Sequence, residues 1–208
     1  MKAHTRETQA TMTPEKAFQF LKEGNQRFQN NLKANRNLLE QVNDTSEGQF
    51  PFATILSCID SRVSAELVFD QGLGDIFSIR IAGNFVNEDI LGSMEFASKL
   101  AGTKLIVVLG HTSCGAIKGA CDHARMGNLT ALINKIEPAV DAVKEPTDES
   151  LRNSKNLDFV DSVSAKNVLL TINNIRKQSP ILAEMEESKE IMIIGAMYDI
   201  STGEVDFY

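Results

Sequence analysis

Cysteine and histidine are scarce in this chain, three of each in 208 residues, and an odd number of thiols excludes a simple disulfide framework. No apolar run approaches the ~18 residues needed to cross a bilayer, so no membrane partner is expected. Residues 1–12 are polar and lack the charged start and apolar stretch of an export signal. The cytoplasm is therefore the expected compartment, with the periplasm an alternative only if such a signal was removed. Basic residues number 21 against 28 acidic ones, and no basic stripe interleaved with aromatics occurs, which argues against a nucleic acid partner. Internal repeats and low-complexity tracts are missing too. What remains is a chain with 42% hydrophobic residues, long enough to bury a substantial core. It reads as a single domain over 1–208, with residues 1–12 expected to be disordered.

The few thiols and imidazoles are not scattered. Three of the six fall in two short segments, Cys58-Ile59-Asp60-Ser61-Arg62 and His111-Thr112-Ser113-Cys114-Gly115. Two thiolates and an imidazole form a ligand set suited to Zn²⁺, and three protein ligands leave a fourth tetrahedral position for water or substrate. Each segment follows an apolar run, Phe52 to Leu56 and Leu105 to Leu109, of the kind found in strands buried on both faces. The candidate ligands then sit at the carboxyl ends of strands, where open α/β sheets collect their ligands. Zinc-ligating thiolates do not persist as disulfides, so the metal reading and a reducing compartment support each other.

The rest of the chain alternates strand and helix. Thr13 before Pro14 marks a helix start, with Ala17, Leu21, Gly24 and Phe28 on one face. A short helix is expected near Ala65 to Asp70, a strand over Ile76 to Ile81, a helix from about Ile90 to Leu100 and another opening near Cys114. Asn128 reads as the cap of a helix carrying Leu129, Leu132, Ile133, Ile136 and Val140. Lys144 to Asn156 reads as an exposed loop, followed by a helix over about Leu157 to Arg176 with Val160, Ala165, Leu169, Ile172 and Ile175 on its face. Ser179-Pro180 starts one more helix. Ile191 to Tyr198, a Thr202-Gly203 turn and Val205 to Tyr208 close the chain as a hairpin on the sheet edge. The fold class is α/β, with a mainly parallel central sheet flanked by helices and an antiparallel edge strand.

The paired motifs, Cys-x-Asp-Ser-Arg and His-x-x-Cys-Gly, resemble those of the β-class carbonic anhydrases. Gln49, Pro51 and Phe52, then Phe77, Arg80, Ala82-Gly83-Asn84 and Glu95-Phe96-Ala97, fall where that family has similar residues, and the likeness runs from about Pro14 to the carboxyl end. The resemblance implies one Zn²⁺ per chain held by Cys58, His111 and Cys114. It also implies reversible hydration of CO2 to bicarbonate and a proton, through attack by zinc-bound hydroxide. Asp60 would orient that hydroxide and Arg62 would fix Asp60, an open arrangement in contrast to one with the carboxylate on the metal. The family's bicarbonate switch uses a tryptophan where this chain has Ile55, and the chain contains no tryptophan. Gln49 would reach substrate from a neighbouring subunit, the Gly115 N–H would approach the anion, and Phe77, Ala82 and Phe96 would wall the CO2 site. The implied assembly is a homodimer or homotetramer, with a helical arm over 13–47 packing on the partner subunit. His123 is a candidate proton shuttle, against the plainer reading of His123 and His4 as surface residues, and Cys121 reads as a core residue of a helix face.

Three other functions fit the same residues. Carbonyl sulfide or carbon disulfide could be the substrate of the same site. A cysteine-nucleophile enzyme would use Cys58 or Cys114 with His111 as base. A non-catalytic zinc module would need Asp60 as a permanent fourth ligand.

Overall fold

The computed structural model describes residues 2–208. Among the described residues, nine α-helices and five strands follow in order: α1 (Arg6–Ala10), α2 (Pro14–Gln29), α3 (Leu38–Asp44), β1 (Ala53–Ser57), α4 (Ala65–Val68), β2 (Ile76–Arg80), α5 (Glu88–Glu95), β3 (Leu105–His111), α6 (Gly115–Cys121), α7 (Gly127–Ala142), α8 (Leu157–Gln178), α9 (Pro180–Glu187), β4 (Met192–Tyr198) and β5 (Val205–Phe207). The strands form one sheet in the order β2-β1-β3-β4-β5, parallel except for β5. Chain direction along the sheet reverses at the β1/β3 boundary, which makes this pair the topological switch point. Among the described residues, no helix is long and apolar enough to cross a membrane.

Both faces of β1 and β3 are buried, which explains their unbroken apolar sequences. Ile55, Leu105, Val107 and Leu109 face a core shared with Leu21 of α2 and Val68 and Phe69 around α4. Leu56, Ile106 and Val108 face the other way, onto Val168, Ile172 and Ile175 of α8 and Leu182 and Met185 of α9. A third cluster lies beyond the carboxyl ends of the strands, where Ile117, Ile133, Ile136, Phe159 and Val163 of α6, α7 and α8 surround Cys58 and Cys114.

Several boundaries differ from expectation for local reasons. α7 starts at Gly127 with Met126 at the cap, and the Met126 N–H goes to the Thr130 hydroxyl, so Asn128 lies inside the helix and does not cap it. α5 continues from Phe96 to Leu100 as a π-type turn. On α8, Leu169 is exposed while Ser164, Asn167 and Thr171 are buried.

The amino-terminal segment makes several contacts within its own chain. Within residues 2–12, α1 has a Thr5–Thr8 capping box, Gln9 Nε2 donates to the carbonyls of Pro51 and Ala101, and His4 packs edge-on against Phe52. Burial pushes the His4 pKa down, opposed by the charge of Asp75, so His4 is no freely solvated surface group. The helix α2 packs on its own chain. Gly24 meets α4 so closely that a Cβ there would lie 1.8 Å from the Phe69 carbonyl oxygen. Asn25 donates to the carbonyls of Val68 and Gly203 and accepts from the Val205 N–H. The following segment is pinned by Asp70, whose carboxylate meets Arg27 at 2.5 Å and Arg36 at 2.6 Å and accepts the Ala34 N–H.

Candidate active site

Parallel pairing sets Ser57 of β1 beside Leu109 of β3, so the residues that leave these strands at their carboxyl ends converge. Cys58 follows β1 directly, His111 ends β3, and Cys114 precedes the first turn of α6. All three are buried, and one potential ligand atom from each lies within 4.8 Å of the others. The two sulfurs are 3.9 Å apart.

The unmatched atoms of this group fit a metal ion. His111 Nδ1 lies 2.9 Å from the Thr112 carbonyl, which can only accept, so the proton sits on Nδ1 and Nε2 presents a lone pair. That Nε2 is buried without a hydrogen-bond partner among the described residues. A buried acceptor left bare costs about 1–3 kcal/mol, and a metal ion would satisfy it. The thiols point the same way. The contact with Cys114, helped by the Gly83 N–H, outweighs burial and holds the Cys58 thiol well below its usual range, while sharing that contact and burial push Cys114 up. Two sulfurs this close share a proton until a cation allows both to ionise. The donor set is that of tetrahedral zinc.

Asp60 stands at the mouth of this cluster, Oδ2 at 4.0 Å from His111 Nε2. Its carboxylate is gripped by Arg62, with Nε to Oδ1 at 2.9 Å, Nη2 to Oδ2 at 2.7 Å and the backbone N–H to Oδ1 at 3.0 Å. This hydrogen bonding outweighs partial desolvation and holds the Asp60 carboxyl well below the usual carboxylate range. Arg80, on β2, donates to the carbonyls of Cys58 and Asp60 and so fixes the backbone on both sides of Ile59.

The remaining expected site residues are more dispersed. Gly115 opens α6 on the exposed side, and a Cβ there would meet nothing within 4 Å, so packing within the chain does not demand glycine. Phe77 and Phe96 face each other edge-on at 6.3 Å across an open cleft of about 660 Å³, and none of the three ligands lines that cleft. Ala82 is half-buried in the turn before Gly83 and does not line the cleft. Gln49 lies on an exposed loop beside Leu73 and Gly74. His123 pairs with Glu137 at 3.0 Å, which also holds Arg125. Burial pushes the Cys121 thiol up to about 11, as suits a core residue.

Sequence reading missed one group of contacts. Asp161, Ser164 and Asn167 on α8 bond to the backbone of Ser113, His111 and Gly83. The available signal was their recurrence every third residue in an otherwise apolar helix face.

A family model described as carbonic anhydrase matches residues 53–205. Carbonic anhydrase 2 of Mycobacterium tuberculosis is 33% identical over 196 residues, covering 91% of this chain and 90% of that protein. A carbonic anhydrase of Mycolicibacterium smegmatis is 33% identical over 199 residues, covering 93% and 92%. Among solved structures, the β-carbonic anhydrase CcaA superposes with a TM-score of 0.72 at 28% identity, covering 92% of this chain and 94% of that one. A Coccomyxa β-carbonic anhydrase gives 0.68 at 25%, covering 79% and 75%. None of these relatives is named for carbonyl sulfide or carbon disulfide, so that substrate reading gains no support. A match across most of the chain, together with the shared sheet and helices, means that this protein belongs to the β-class carbonic anhydrases.

Proposed function

We propose that the protein catalyses the zinc-dependent reversible hydration of CO2 to bicarbonate and a proton, at a centre built from Cys58, His111 and Cys114. The observation that carries this reading is the bare His111 Nε2 beside two buried thiols, with the Arg62-bound Asp60 at 4.0 Å. Zinc, when bound, supplies a Lewis acid that lowers the pKa of water from ~15.7 toward ~7. Asp60 remains ionised at any physiological pH because Arg62 holds it so. It is therefore a hydrogen-bond acceptor, able to orient a donor at the mouth of the site. The bidentate pairing with Arg62 supports an open arrangement, in which the Asp60 carboxylate would stay on the guanidinium when zinc is held by Cys58, His111 and Cys114.

The Gly115 N–H, at the start of α6, is assigned to the product anion. The walls of the CO2 site are assigned to Phe77, Ala82 and Phe96, and a substrate contact to Gln49. Phe77 and Phe96 line a cleft that none of the three ligands lines, and Gln49 lies on an exposed loop, which supports delivery of these three groups by a second copy. So does the exposure of Ile59, Phe96 and Leu100 at 61%, 53% and 76%. We assign the protein as a homodimer or homotetramer of a single 1–208 domain in the cytoplasm, a reducing compartment in which two sulfurs 3.9 Å apart would stay free for a metal.

The test is Asp60→Ala at matched zinc content. The proposal expects zinc retained at one per chain and CO2 hydration lost by about 10²-fold or more, the usual scale for a group that stabilises or orients in the transition state. Release of zinc with unfolding would instead make Asp60 a fourth structural ligand.

A further inference from the structure

The His111–Cys114 segment and the Gly83 turn, whose N–H meets Cys58 Sγ, are tethered to one helix. On α8, Asp161 Oδ1 accepts the Ser113 N–H at 2.7 Å, Ser164 Oγ donates to the His111 carbonyl at 3.1 Å, and Asn167 Nδ2 donates to the Gly83 carbonyl at 2.7 Å. The spacing of three residues makes a slanted row about 9 Å long on the helix surface, at 1.5 Å rise per residue. Each contact acts on a different part of the centre. Ser113 lies between His111 and Cys114, in the left-handed region at φ +54, a conformation unfavourable for a non-glycine residue. His111 is itself a proposed ligand. Gly83 directs its N–H at Cys58 Sγ, 3.5 Å away.

Nothing along α8 looks arranged to let it drift. Ser164 and Asn167 are buried at 1% and 3% exposure. The helix comes this near because β3 and β4 carry glycines under it: a Cβ on Gly110 would lie 2.7 Å from Val168 Cγ2, and one on Gly195 2.8 Å from Val168 Cγ1.

We propose that Asp161, Ser164 and Asn167 form a positioning row that sets the spacing of Cys58, His111 and Cys114 and so tunes zinc affinity and coordination. None touches the metal cluster; each acts through a backbone group. The bland reading is that the row only satisfies buried backbone polar groups, as most buried polar side chains do. The two readings differ in what a variant changes. A general packing role lowers the melting temperature of the apo-protein, whereas a positioning role lowers metal affinity beyond that loss. This inference rests on the zinc reading above.

The experiment measures zinc affinity by chelator competition, the thiolate-to-metal charge-transfer band of the cobalt-substituted protein, and apo-protein melting. It compares wild type, Asp161→Leu, Asp161→Asn, Asn167→Leu and Ser164→Ala, with Leu182→Ala, in the α9 core, as a destabilised control. The expected result is about tenfold weaker zinc binding in Asp161→Leu and Asn167→Leu, the lower end of what losing such supporting contacts costs. Their charge-transfer bands should shift, and Asp161→Asn, whose amide oxygen can still accept the Ser113 N–H, should recover most of the affinity. Ser164→Ala, which deletes a single hydroxyl, should show a smaller loss and keeps the test available if a leucine variant does not fold. Variants that bind zinc as wild type does, or no more weakly than the Leu182→Ala control, would overturn the row while leaving the centre intact. A wild-type chain that binds no zinc would overturn the centre and the row with it.

Discussion

At the scale of single residues, the site is defined by what each group cannot do alone. His111 cannot satisfy Nε2 within the fold, and Cys58 and Cys114 cannot both ionise 3.9 Å apart without a cation. Replacing any of the three should therefore abolish stoichiometric zinc binding, and His111→Ala is the cleanest case because the thiols remain. Metal analysis after dialysis checks it, and a His111→Ala protein that keeps one tightly held zinc per chain would contradict the ligand assignment. Cys121 should resist alkylation in the folded protein near neutral pH, since burial holds its thiol at about 11 and the thiolate is the reactive form. Modification of Cys121 under native conditions, followed by mass spectrometry, would argue against its buried position.

These residues were legible because rare residue types recur in two motifs after two apolar runs. Asp161, Ser164 and Asn167 were not, since a polar side chain on a helix reads as solvent-facing unless the partner backbone is known. Their partners lie 48, 53 and 84 positions away in sequence.

At the scale of elements, the amino-terminal helices are held by contacts that are tight and distant in sequence. Gly24→Ala should separate α2 from α4, because its Cβ would meet backbone that cannot rotate away. Overpacking of this kind costs about 1–3 kcal/mol, readable as a lower urea midpoint. An unchanged midpoint would mean that α2 does not sit against α4 in this way.

Asp70 gives the second prediction at this scale. Burial raises its pKa, but Arg27, the Ala34 N–H and Arg36 together outweigh that and depress it below the unfolded value of ~3.9. Depression means that the ionised form is favoured by folding. The stability it contributes is present above ~4 and lost as pH falls through the lower folded value. Asp70→Asn should cost about 3 kcal/mol near neutral pH by leaving two guanidinium groups without their carboxylate. It should also flatten the acid limb of a stability-against-pH curve. Wild type and Asp70→Asn losing stability in parallel below pH 4 would assign the acid limb to other carboxylates.

The mainly parallel sheet and the edge hairpin were readable from periodicity and turn residues, whereas the strand order was not. Nor were the contacts of residues 2–12: Gln9 meets two carbonyls of the folded body and His4 meets Phe52, partners far away in sequence. The helix cap was misassigned for a similar reason, since Thr130 competes with Asn128 by reaching back to Met126.

At the scale of the whole molecule, a single chain brings the metal ligands together and leaves an edge strand, β2, beside exposed Phe96 and Leu100. Sedimentation should find a dimer or tetramer, and Leu100→Glu, at a site 76% exposed in one chain, should shift it toward monomer with the fold retained. A wild-type chain that is monomeric at micromolar concentration would remove the second copy from the proposed substrate pocket. Assembly was not legible in composition, because exposure of apolar residues appears only once the fold has decided which of them the core leaves out.

The central claim is that this site hydrates CO2, and stopped-flow measurement of that reaction by the zinc-loaded protein tests it most directly. Fast turnover dependent on one zinc per chain, rising from slightly acid to alkaline pH, is the expected result. A protein with its zinc in place and no hydration at any pH across that range would contradict the account.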